Sequence, residues 1–464
     1  MRLVRKHLSA ILFIIALLPV ILLRDFTPSN ELRYLSIADE ALRDGHLFAF
    51  FNHGVIYADK PPLYLWIVMA GRWLFGDRCM AFISLFSLVP ALVIVTTMHR
   101  WTRSELTQEQ SGTARIMLLT CGLFPVMAVT LRMDMLMVMF IVLALRRFSI
   151  MEQRDSYGWH HSILMGTFVF LAVFSKGPLG ILVPLVGTLV YALTSRRWTL
   201  FFRVWNFRTW SVLIALCALW FGLAYLEGGL PYLNEMLFHQ TMGRAVNAFH
   251  HKRPFYFYLI AITYTMLPWL PYFAIVAYKA IRRHTVLPST SRYFLCIVLT
   301  TFVMLSAFSS KLQVYLLPIF PFAVYLSVMT GSSVGCSIPL RVMRRCGIAL
   351  LCITFTAGLA LPWINPYIGY RDLCLKARDA ATTTESAVTS SSVPAYYTCG
   401  LSRTENMDVF LGTVPTATMS HDLPSANTLF ILAPVSYFDS IPHSRIVALS
   451  GNNAVIIRQP STTN

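Results

Sequence analysis

Long apolar runs separated by short polar segments are the feature that most limits what this chain can fold into. We count eleven runs, at residues 8–23, 79–98, 114–131, 133–146, 162–175, 178–195, 209–226, 255–280, 292–308, 312–330 and 346–363. Only 13% of the residues are charged, whereas a soluble domain has about 25%. Inside a lipid bilayer a helix satisfies its backbone hydrogen bonds within one segment. The sequence therefore predicts an α-helical polytopic membrane protein with about eleven transmembrane helices.

The basic residues indicate how these helices are oriented. The formal net charge is +17, and the lysines and arginines lie mainly between the apolar runs. If the N-terminus is cytoplasmic, the arginine pairs at 146–147, 196–197, 282–283 and 344–345 all fall in cytoplasmic loops, as in other membrane proteins. Such charge suits the anionic head groups of membrane lipids as partners, and its distribution argues against nucleic acid.

This orientation places three polar segments outside the cytoplasm: loop 24–78, loop 227–254 and the tail 364–464. We therefore divide the chain into a transmembrane domain, 1–363, and a soluble extracytoplasmic domain, 364–464. Two β-branched runs in the tail, with a turn signal at Gly451-Asn452-Asn453 before the second, predict a small α/β domain. Two tail cysteines, Cys374 and Cys399, could form a disulfide in an oxidising compartment.

Loop 24–78 mixes acids, bases and phenols in a chain that is otherwise apolar. These residues are Asp25, Glu31, Arg33, Tyr34, Tyr57, Asp59, Lys60 and Tyr64. A loop that only had to cross water would not need this mixture. We interpret the loop as the holder of a reaction centre that polar residues from other spans complete.

Each part of this loop has a purely structural alternative. Asn30 and Glu31 fit the start of a helix, with the acid at its positive end; alternatively, the acid meets an acceptor while Arg33 or Tyr34 binds a phosphate. Asp59 and Lys60 fit an exposed turn; alternatively, the lysine binds phosphate and the aspartate, with a histidine from elsewhere, binds a divalent cation.

Ionisable residues also occur at the predicted membrane boundaries. Arg132, Asp134 and Lys176 are candidates for function by position alone, although a salt bridge between two helices would explain them equally well. Lys311 and Tyr315, at positions i and i+4, would share one helix face. The alternative is a snorkelling lysine beside an interfacial tyrosine.

Several motifs occur in an order that resembles a known family. They are Glu31-x-Arg33-Tyr34, Tyr57-x-Asp59-Lys60-Pro61-Pro62, Asp134, Ser175-Lys176-Gly177, His239 with Arg244, His251-x-Arg253-Pro254-Phe255, Leu267-Pro268-Trp269 and Ser310-Lys311-Leu-x-x-Tyr315. Over residues 1–330 the chain resembles the aminoarabinose-transferase-like (lipid A) branch of the GT-C membrane glycosyltransferases, which are related to protein O-mannosyltransferases. It has no P-loop and no G-x-G-x-x-G motif, so no nucleotide is expected.

The resemblance implies a sugar donor linked to undecaprenyl phosphate, an active site that faces the periplasm across the bacterial inner membrane, and lipid A phosphate as the acceptor. For the donor phosphate it implies binding by Lys60, Arg244, Tyr34 and Arg33. Our own candidates for catalysis are the acids Glu31, Asp134 and Asp25 and the boundary lysine Lys176. The resemblance adds Asn30, Tyr57, Lys311 and Tyr315 to the site. It also implies a divalent metal, zinc, near Asp59 and His239.

Two departures from the family pattern bear on mechanism. Asn30 replaces the first acid of the family motif, and asparagine cannot accept a proton, so Glu31, Asp25 or Asp134 must act if a base is needed. Asp59 replaces a longer glutamate. A lipid A phosphate is already a nucleophile, whereas a protein or glycan hydroxyl, the alternative acceptor, needs a base. A transporter of polyprenyl-linked sugars is a further alternative, although its ionisable residues should lie at mid-membrane between inverted repeats.

Overall fold

Helices form most of the chain, as the apolar runs predict. The structure is a computed structural model that describes residues 2–237, 253–336, 339–385, 394–424 and 429–458. The described helices, numbered in chain order, are α1 (Arg2–Leu23), α2 (Glu31–Asp44), α3 (Pro62–Phe75), α4 (Met80–Thr102), α5 (Gln108–Leu119), α6 (Leu123–Met127), α7 (Asp134–Arg154), α8 (Trp159–Lys176), α9 (Leu179–Thr194), α10 (Trp198–Val204), α11 (Phe207–Asn234), α12 (Phe257–Thr265), α13 (Leu270–Arg282), α14 (Ser289–Ala307), α15 (Ile319–Ser333), α16 (Leu340–Leu359), α17 (Leu361–Ile368), α18 (Arg371–Glu385) and α19 (Asp408–Leu411).

Among the described residues, four helices are long and apolar enough to cross a membrane. They are α4, α11 with its extension to Leu237, α14 and α16. Helices α12 and α13 are bent by 116° relative to each other, and they form a fifth span if they are taken together. Segment Leu8–Leu23, α9 and α15 are apolar but shorter. The chain is thus a multi-pass membrane protein, and the number of eleven transmembrane helices stays a prediction.

The chain divides into two compact units. The first contains Met1–Leu18, Gly45–Ile67 and Ala81–Phe355, and the second contains Pro19–Asp44, Val68–Met80 and Thr356–Asn464. The polar loop 24–78 therefore contributes residues to both units. The domain boundary between residues 363 and 364 stays a prediction.

The first unit is a helical assembly in which successive helices pack against each other. Helix α8 packs against α7, α9 and α11, and α14 packs against α9 and α15. Helices α8 and α9 approach so closely that a Cβ atom on Gly180 would lie 2.4 Å from the backbone of Ala172. The turn between them passes through Gly177, whose φ of +101° favours glycine. This tight turn follows directly after the last residue of α8, Lys176.

The second unit contains the predicted α/β domain. Its strands are β3 (Tyr396–Thr398), β4 (Thr416–Ala417), β5 (Leu429–Pro434), β6 (Ser444–Ser450) and β7 (Asn453–Arg458), and a hairpin of β1 (Phe51–Asn52) and β2 (Val55–Ile56) belongs to the first unit. The sheet order is β4-β3-β5-β7-β6, with β3 parallel to β4 and β5, and β7 antiparallel to β5 and β6.

The interior of this sheet domain explains why it forms. Helix α18 packs against β5, β6 and β7, and Leu429, Ile431 and Ile456 are buried in its hydrophobic core. The predicted turn at Gly451 joins β6 to β7. Cys374 and Cys399 are both buried free thiols, so the disulfide considered for these two tail cysteines is absent.

Several predicted spans are interrupted in the structure, including the run 255–280, which is divided between α12 and α13. The run 114–131 is two helices, α5 and α6, because the chain breaks at Gly122, where a Cβ would lie 2.1 Å from the carbonyl oxygen of Thr265. The run 312–330 becomes helical only at Ile319, after Pro318. Lys311 precedes a 3₁₀ turn, Gln313–Leu316, so the prediction that Lys311 and Tyr315 share a helix face is wrong.

Candidate active site

A cavity of about 520 Å³ lies within the first unit. Its wall is formed by four segments: loop 58–61, the joint between α8 and α9, helix α11 with its extension, and residues 305–315. Most of the lining is aliphatic or aromatic, but Asp59, Lys60, Lys176, Ser310 and Tyr315 add polar groups. The cavity therefore suits an amphiphilic ligand with an anionic group. It also brings together Asp59, Lys60, Lys176 and Tyr315, which the sequence placed in one site.

Behind the cavity, a buried ion cluster holds Lys176. Asp134 is the first residue of α7 and has no solvent exposure. Its Oδ1 accepts a hydrogen bond from the Lys176 ammonium, and its Oδ2 accepts one from Arg132 Nε at 3.0 Å. This is the salt bridge between helices that the sequence left open as an alternative.

The helix ends favour this arrangement. Asp134 lies at the N-terminus of α7 and Lys176 at the C-terminus of α8, so each charge opposes the partial charge of its own helix end. The Lys176 Nζ also lies 4.5 Å from the ring centroid of Tyr315. The carboxylate and the aromatic ring thus hold the ammonium group at the cavity wall.

A second anchor holds the loop that carries Lys60. The carboxylate of Glu227, on α11, accepts hydrogen bonds from the backbone amides of Leu47 at 2.7 Å, Phe48 at 2.9 Å and Ala49 at 3.3 Å, and lies 3.2 Å from His46 Nδ1. One feature of the sequence could have indicated this role, because Glu227 is an acid at the end of an apolar run and just before Gly228-Gly229.

The loop continues from this anchor into the cavity wall. Tyr57 donates its amide to the Phe50 carbonyl at 2.8 Å, and Tyr232 donates its hydroxyl to the Tyr57 carbonyl at 3.4 Å. Tyr57 thus supports the segment that presents Asp59 and Lys60, and its own side chain is buried.

Lys311 has a different place from the one predicted. It is not among the residues that line the cavity, and it is 3% exposed. Its ammonium group donates to the carbonyl oxygens of Phe308 and, at 3.3 Å, of Arg253. Burial lowers the pKa of this ammonium group. Lys311 therefore links two backbone segments, and its neighbour in the motif, Tyr315, is the one that reaches the cavity.

Within the second unit, Glu31 forms a buried ion pair. The residue is 1% exposed, and its carboxylate accepts two hydrogen bonds from the Arg24 guanidinium, each at 2.7 Å. The Thr27 amide donates a third at 2.8 Å. Glu31 is also the first residue of α2, where its charge suits the helix end. The predicted helix start is confirmed. At this start the Tyr34 amide donates a hydrogen bond to the Asn30 carbonyl at 3.1 Å.

Asp25 links two distant parts of the second unit. Its carboxylate accepts hydrogen bonds from the amides of Phe26 at 2.7 Å and Arg371 at 3.1 Å, so it binds the start of α18. A Cβ on Gly369 would lie 2.1 Å from Asp25 Oδ2. Burial raises the pKa of the Asp25 carboxyl above its ordinary value of 3.8.

The other candidate site residues of the second unit contact neighbouring residues or are buried. Arg33 lies 3.6 Å from the Glu405 carboxylate in a partly exposed pair. Tyr34 is buried, and the Asn30 side-chain amide donates to Ser29 Oγ at 3.4 Å. A polar cavity of about 420 Å³ opens beside Ser29 and is also lined by Tyr370, Ser402 and Arg403, among others.

Known proteins resemble this chain in sequence. The family described as dolichyl-phosphate-mannose-protein mannosyltransferase matches residues 59–221. Undecaprenyl phosphate-alpha-4-amino-4-deoxy-L-arabinose arabinosyl transferase of Edwardsiella ictaluri is 27% identical over 66% of this chain and 56% of its own length. The enzyme numbered 2 of Sodalis glossinidius is 25% identical over 73% of this chain and 62% of its own. The matches thus span less than two thirds of these curated relatives.

The comparison of folds covers almost the whole chain. ArnT from Cupriavidus metallidurans bound to undecaprenyl phosphate superposes with a TM-score of 0.70, at 16% identity, over 99% of this chain and 98% of the other. The chain has the GT-C fold. The apo form of the same protein matches with the same TM-score. The predicted GT-C architecture and the resemblance to aminoarabinose transferases are therefore confirmed.

The described residues do not by themselves provide a metal site. Among them, no three histidine, cysteine, aspartate or glutamate side chains lie together as metal ligands would. Asp59 lines the cavity, whereas His239 and Arg244 lie outside the described residues. The zinc ion and the part that Arg244 takes in phosphate binding stay predictions.

Proposed function

We propose that this protein transfers a sugar from an undecaprenyl-phosphate donor to the phosphate of lipid A, at the periplasmic face of the bacterial inner membrane. The observation that carries the proposal is the cavity of the first unit, whose mostly apolar wall includes Lys60 and Lys176 together with Asp59, Ser310 and Tyr315. A polyprenyl phosphate combines the same two properties, a phosphate and a long apolar chain. The names of the sequence relatives support the same donor and an aminoarabinose-type sugar.

The reaction needs charge stabilisation more than covalent help from the protein. A phosphate oxygen of the acceptor attacks the anomeric carbon with inversion, and the bond from that carbon to the donor phosphate breaks. The leaving undecaprenyl phosphate takes the electron pair, so negative charge grows on it. Fixed cations aimed at such a leaving group lower the barrier. We assign this role to Lys60 and Lys176, with Arg244 as a third cation.

Asp134 then acts through Lys176. Both of its carboxylate oxygens are engaged by cations, Lys176 and Arg132. We therefore assign Asp134 to positioning the lysine rather than to accepting a proton. Tyr315 adds to the same support, because its ring centroid lies 4.5 Å from the ammonium nitrogen.

The hydrogen bonds of the acids favour a phosphate acceptor over a hydroxyl. A hydroxyl acceptor requires a base, but Glu31 is held by Arg24 and Thr27, and Asp25 by two backbone amides. Asn30, in the position of the family's first acid, cannot take a proton. A phosphate attacks without a base, so these three residues are compatible with transfer to lipid A.

The test uses the full chain in nanodiscs, with undecaprenyl-phosphate-aminoarabinose as donor and lipid A as acceptor. We expect mass spectrometry to detect lipid A with one added aminoarabinose, together with undecaprenyl phosphate. Product on a peptide or glycan hydroxyl, and none on lipid A, would favour the alternative acceptor class. Movement of intact donor across the bilayer without any product would favour a transporter. Chelator treatment followed by zinc addition, in the same assay, tests the proposed metal.

A further inference from the structure

The polar cavity of about 420 Å³ in the second unit has no part in the transfer reaction as proposed above. Most of its lining is polar, and Ser29, Ser402 and Asn453 contribute hydroxyl and amide groups. Among the described residues that line it, Arg403 alone has a charged side chain. The cavity therefore suits a hydrophilic ligand that carries negative charge.

The Arg403 guanidinium is available to such a ligand. The residue is exposed, and within the described part of the chain no hydrogen bond or ion pair engages its side chain. The preceding residue is held in place, because the Ser402 carbonyl accepts a hydrogen bond from the Tyr370 hydroxyl at 2.9 Å. A guanidinium presents paired N–H donors that match the oxygen atoms of a phosphate.

Helix α17 forms one edge of this cavity and exposes apolar residues. Tyr367 and Ile368 line the cavity. Trp363 is 75% exposed and Tyr367 is 63% exposed, and Ile364 and Ile368 are exposed as well. Tryptophan and tyrosine are enriched where a membrane meets water, because their rings have an apolar body and a polar group. This composition indicates that α17 lies at the surface of the bilayer.

The contacts of α17 support the same placement. Helix α16, which is long and apolar enough to cross a membrane, ends at Leu359, shortly before α17 begins. The apolar part of α1 ends at Leu23. Asn365 on α17 donates its side-chain amide to the Leu23 carbonyl at 2.7 Å, and its side-chain oxygen accepts a hydrogen bond from the Asp25 amide at 3.1 Å. Because α17 lies where two apolar helices end, the cavity beside it lies at the depth of lipid head groups.

We propose that this cavity binds the phosphorylated sugar head group of the acceptor lipid. Arg403 contacts a phosphate, and Ser29, Ser402 and Asn453 contact oxygen atoms of the sugar. The inference rests on the proposed function, in which lipid A is the acceptor, and it adds a recognition site for that lipid on the second unit. Inorganic phosphate has the charge without the sugar or the lipid chains, so it should bind much more weakly.

The chain offers variants that separate charge, space and general attraction. Arg403→Gln removes the cation from the cavity. Ser402→Trp fills the cavity but keeps the backbone carbonyl to which Tyr370 donates. The matched control is Arg445→Gln on β6, because Arg445 is also exposed, is likewise without a side-chain partner among the residues described, and does not line the cavity.

The experiment measures equilibrium binding of three radiolabelled lipids to the full chain in detergent: lipid A, lipid A with its phosphates removed, and undecaprenyl phosphate. We expect Arg403→Gln to raise the Kd for lipid A by about tenfold, since a hydrogen bond to a charged group is lost. Its Kd for the dephosphorylated lipid should equal that of the parent. Ser402→Trp should weaken both forms of lipid A, and Arg445→Gln should weaken neither. All variants should keep the parent's Kd for undecaprenyl phosphate and its thermal unfolding midpoint.

The outcomes separate this inference from the function on which it rests. If the parent binds undecaprenyl phosphate but not lipid A, the proposed acceptor fails. If the parent binds lipid A and both cavity variants bind it equally well, only the role of the cavity is overturned. Equal weakening by Arg403→Gln and Arg445→Gln would also overturn it, because it would show general charge attraction. Displacement of lipid A by an equal concentration of inorganic phosphate would overturn the sugar head group as the ligand.

Discussion

Lys176, the last residue of α8, donates a hydrogen bond to the carboxylate of Asp134, the first residue of α7. The pair lies 42 residues apart in sequence. The pair joins the end of α8 to the start of its neighbour α7. The same lysine also lines the cavity. A structural contact between helices and a proposed substrate contact therefore share one ammonium group.

Removing the carboxylate from this cluster should destabilise the protein strongly. Asp134→Asn removes the buried carboxylate that both Lys176 and Arg132 contact, and we expect a loss of about 3–5 kcal/mol in the free energy of unfolding. Lys176→Met in the Asp134→Asn background should recover part of that loss. Denaturant unfolding of the parent, both single variants and the double variant gives the coupling energy. Simple additivity of the two single effects would contradict the ion pair.

Loss of either cavity lysine should weaken donor use. Lys60→Ala and Lys176→Met each remove a charge-assisted contact to phosphate, which costs about 1.5–3 kcal/mol. We expect at least a tenfold decrease in the rate of transfer, measured as aminoarabinose-modified lipid A. The control is Lys376→Ala, which removes a half-exposed lysine paired with Asp372 in the second unit. Unchanged transfer in both cavity variants would refute the assigned phosphate site.

Glu31 and its partner Arg24 offer a test of whether a general base exists. If Glu31 is structural, Glu31→Gln and Arg24→Gln break the same buried ion pair, so both should lower stability and transfer to a similar extent. If Glu31 were the base, its loss alone should cost about 10²–10⁴-fold in rate. We expect similar values for the two variants, from initial rates and unfolding midpoints measured side by side. Asn30→Asp should leave the rate within a few fold.

The raised pKa of Asp25 predicts a pH dependence of stability. A carboxyl whose pKa is higher in the folded state binds its proton more tightly there, so its contribution to stability is present below the unfolded pKa and is lost as the pH rises. We expect the stability of the parent, relative to Asp25→Asn, to decrease from about pH 4 upward. Unfolding curves for both proteins across that pH range measure the difference. A relative stability that rises with pH would contradict the burial of this carboxyl.

Local patterns in the sequence predict the elements well, because each depends on neighbouring residues. The helix start at Glu31, the turn at Gly451 and the joint around Gly177 all depend on residues close in the chain. One failed span has a local cause too, since helix α15 begins only after Pro318. The break at Gly122 does not, because the close neighbour there is Thr265, which is distant in sequence.

The partners of polar residues could not be predicted in the same way. Arg24 was not a candidate, because nothing in a linear sequence indicates that its guanidinium meets Glu31. Lys311 and Lys176 both looked like site lysines at a membrane boundary, and three-dimensional contacts alone distinguish the one that binds carbonyl groups from the one that faces the cavity.

The anchor at Glu227 has a consequence for how this cavity can change in evolution. The carboxylate is bound by the amides of Leu47, Phe48 and Ala49, and every residue except proline has that amide. Substitutions at these three positions can therefore alter the side chains of the loop while its backbone keeps its attachment to α11. Lys60 would remain in place as its surroundings diverge. Side-chain substitutions in this segment could therefore accommodate new substrates, while one acid about 180 residues away sets the geometry of its backbone.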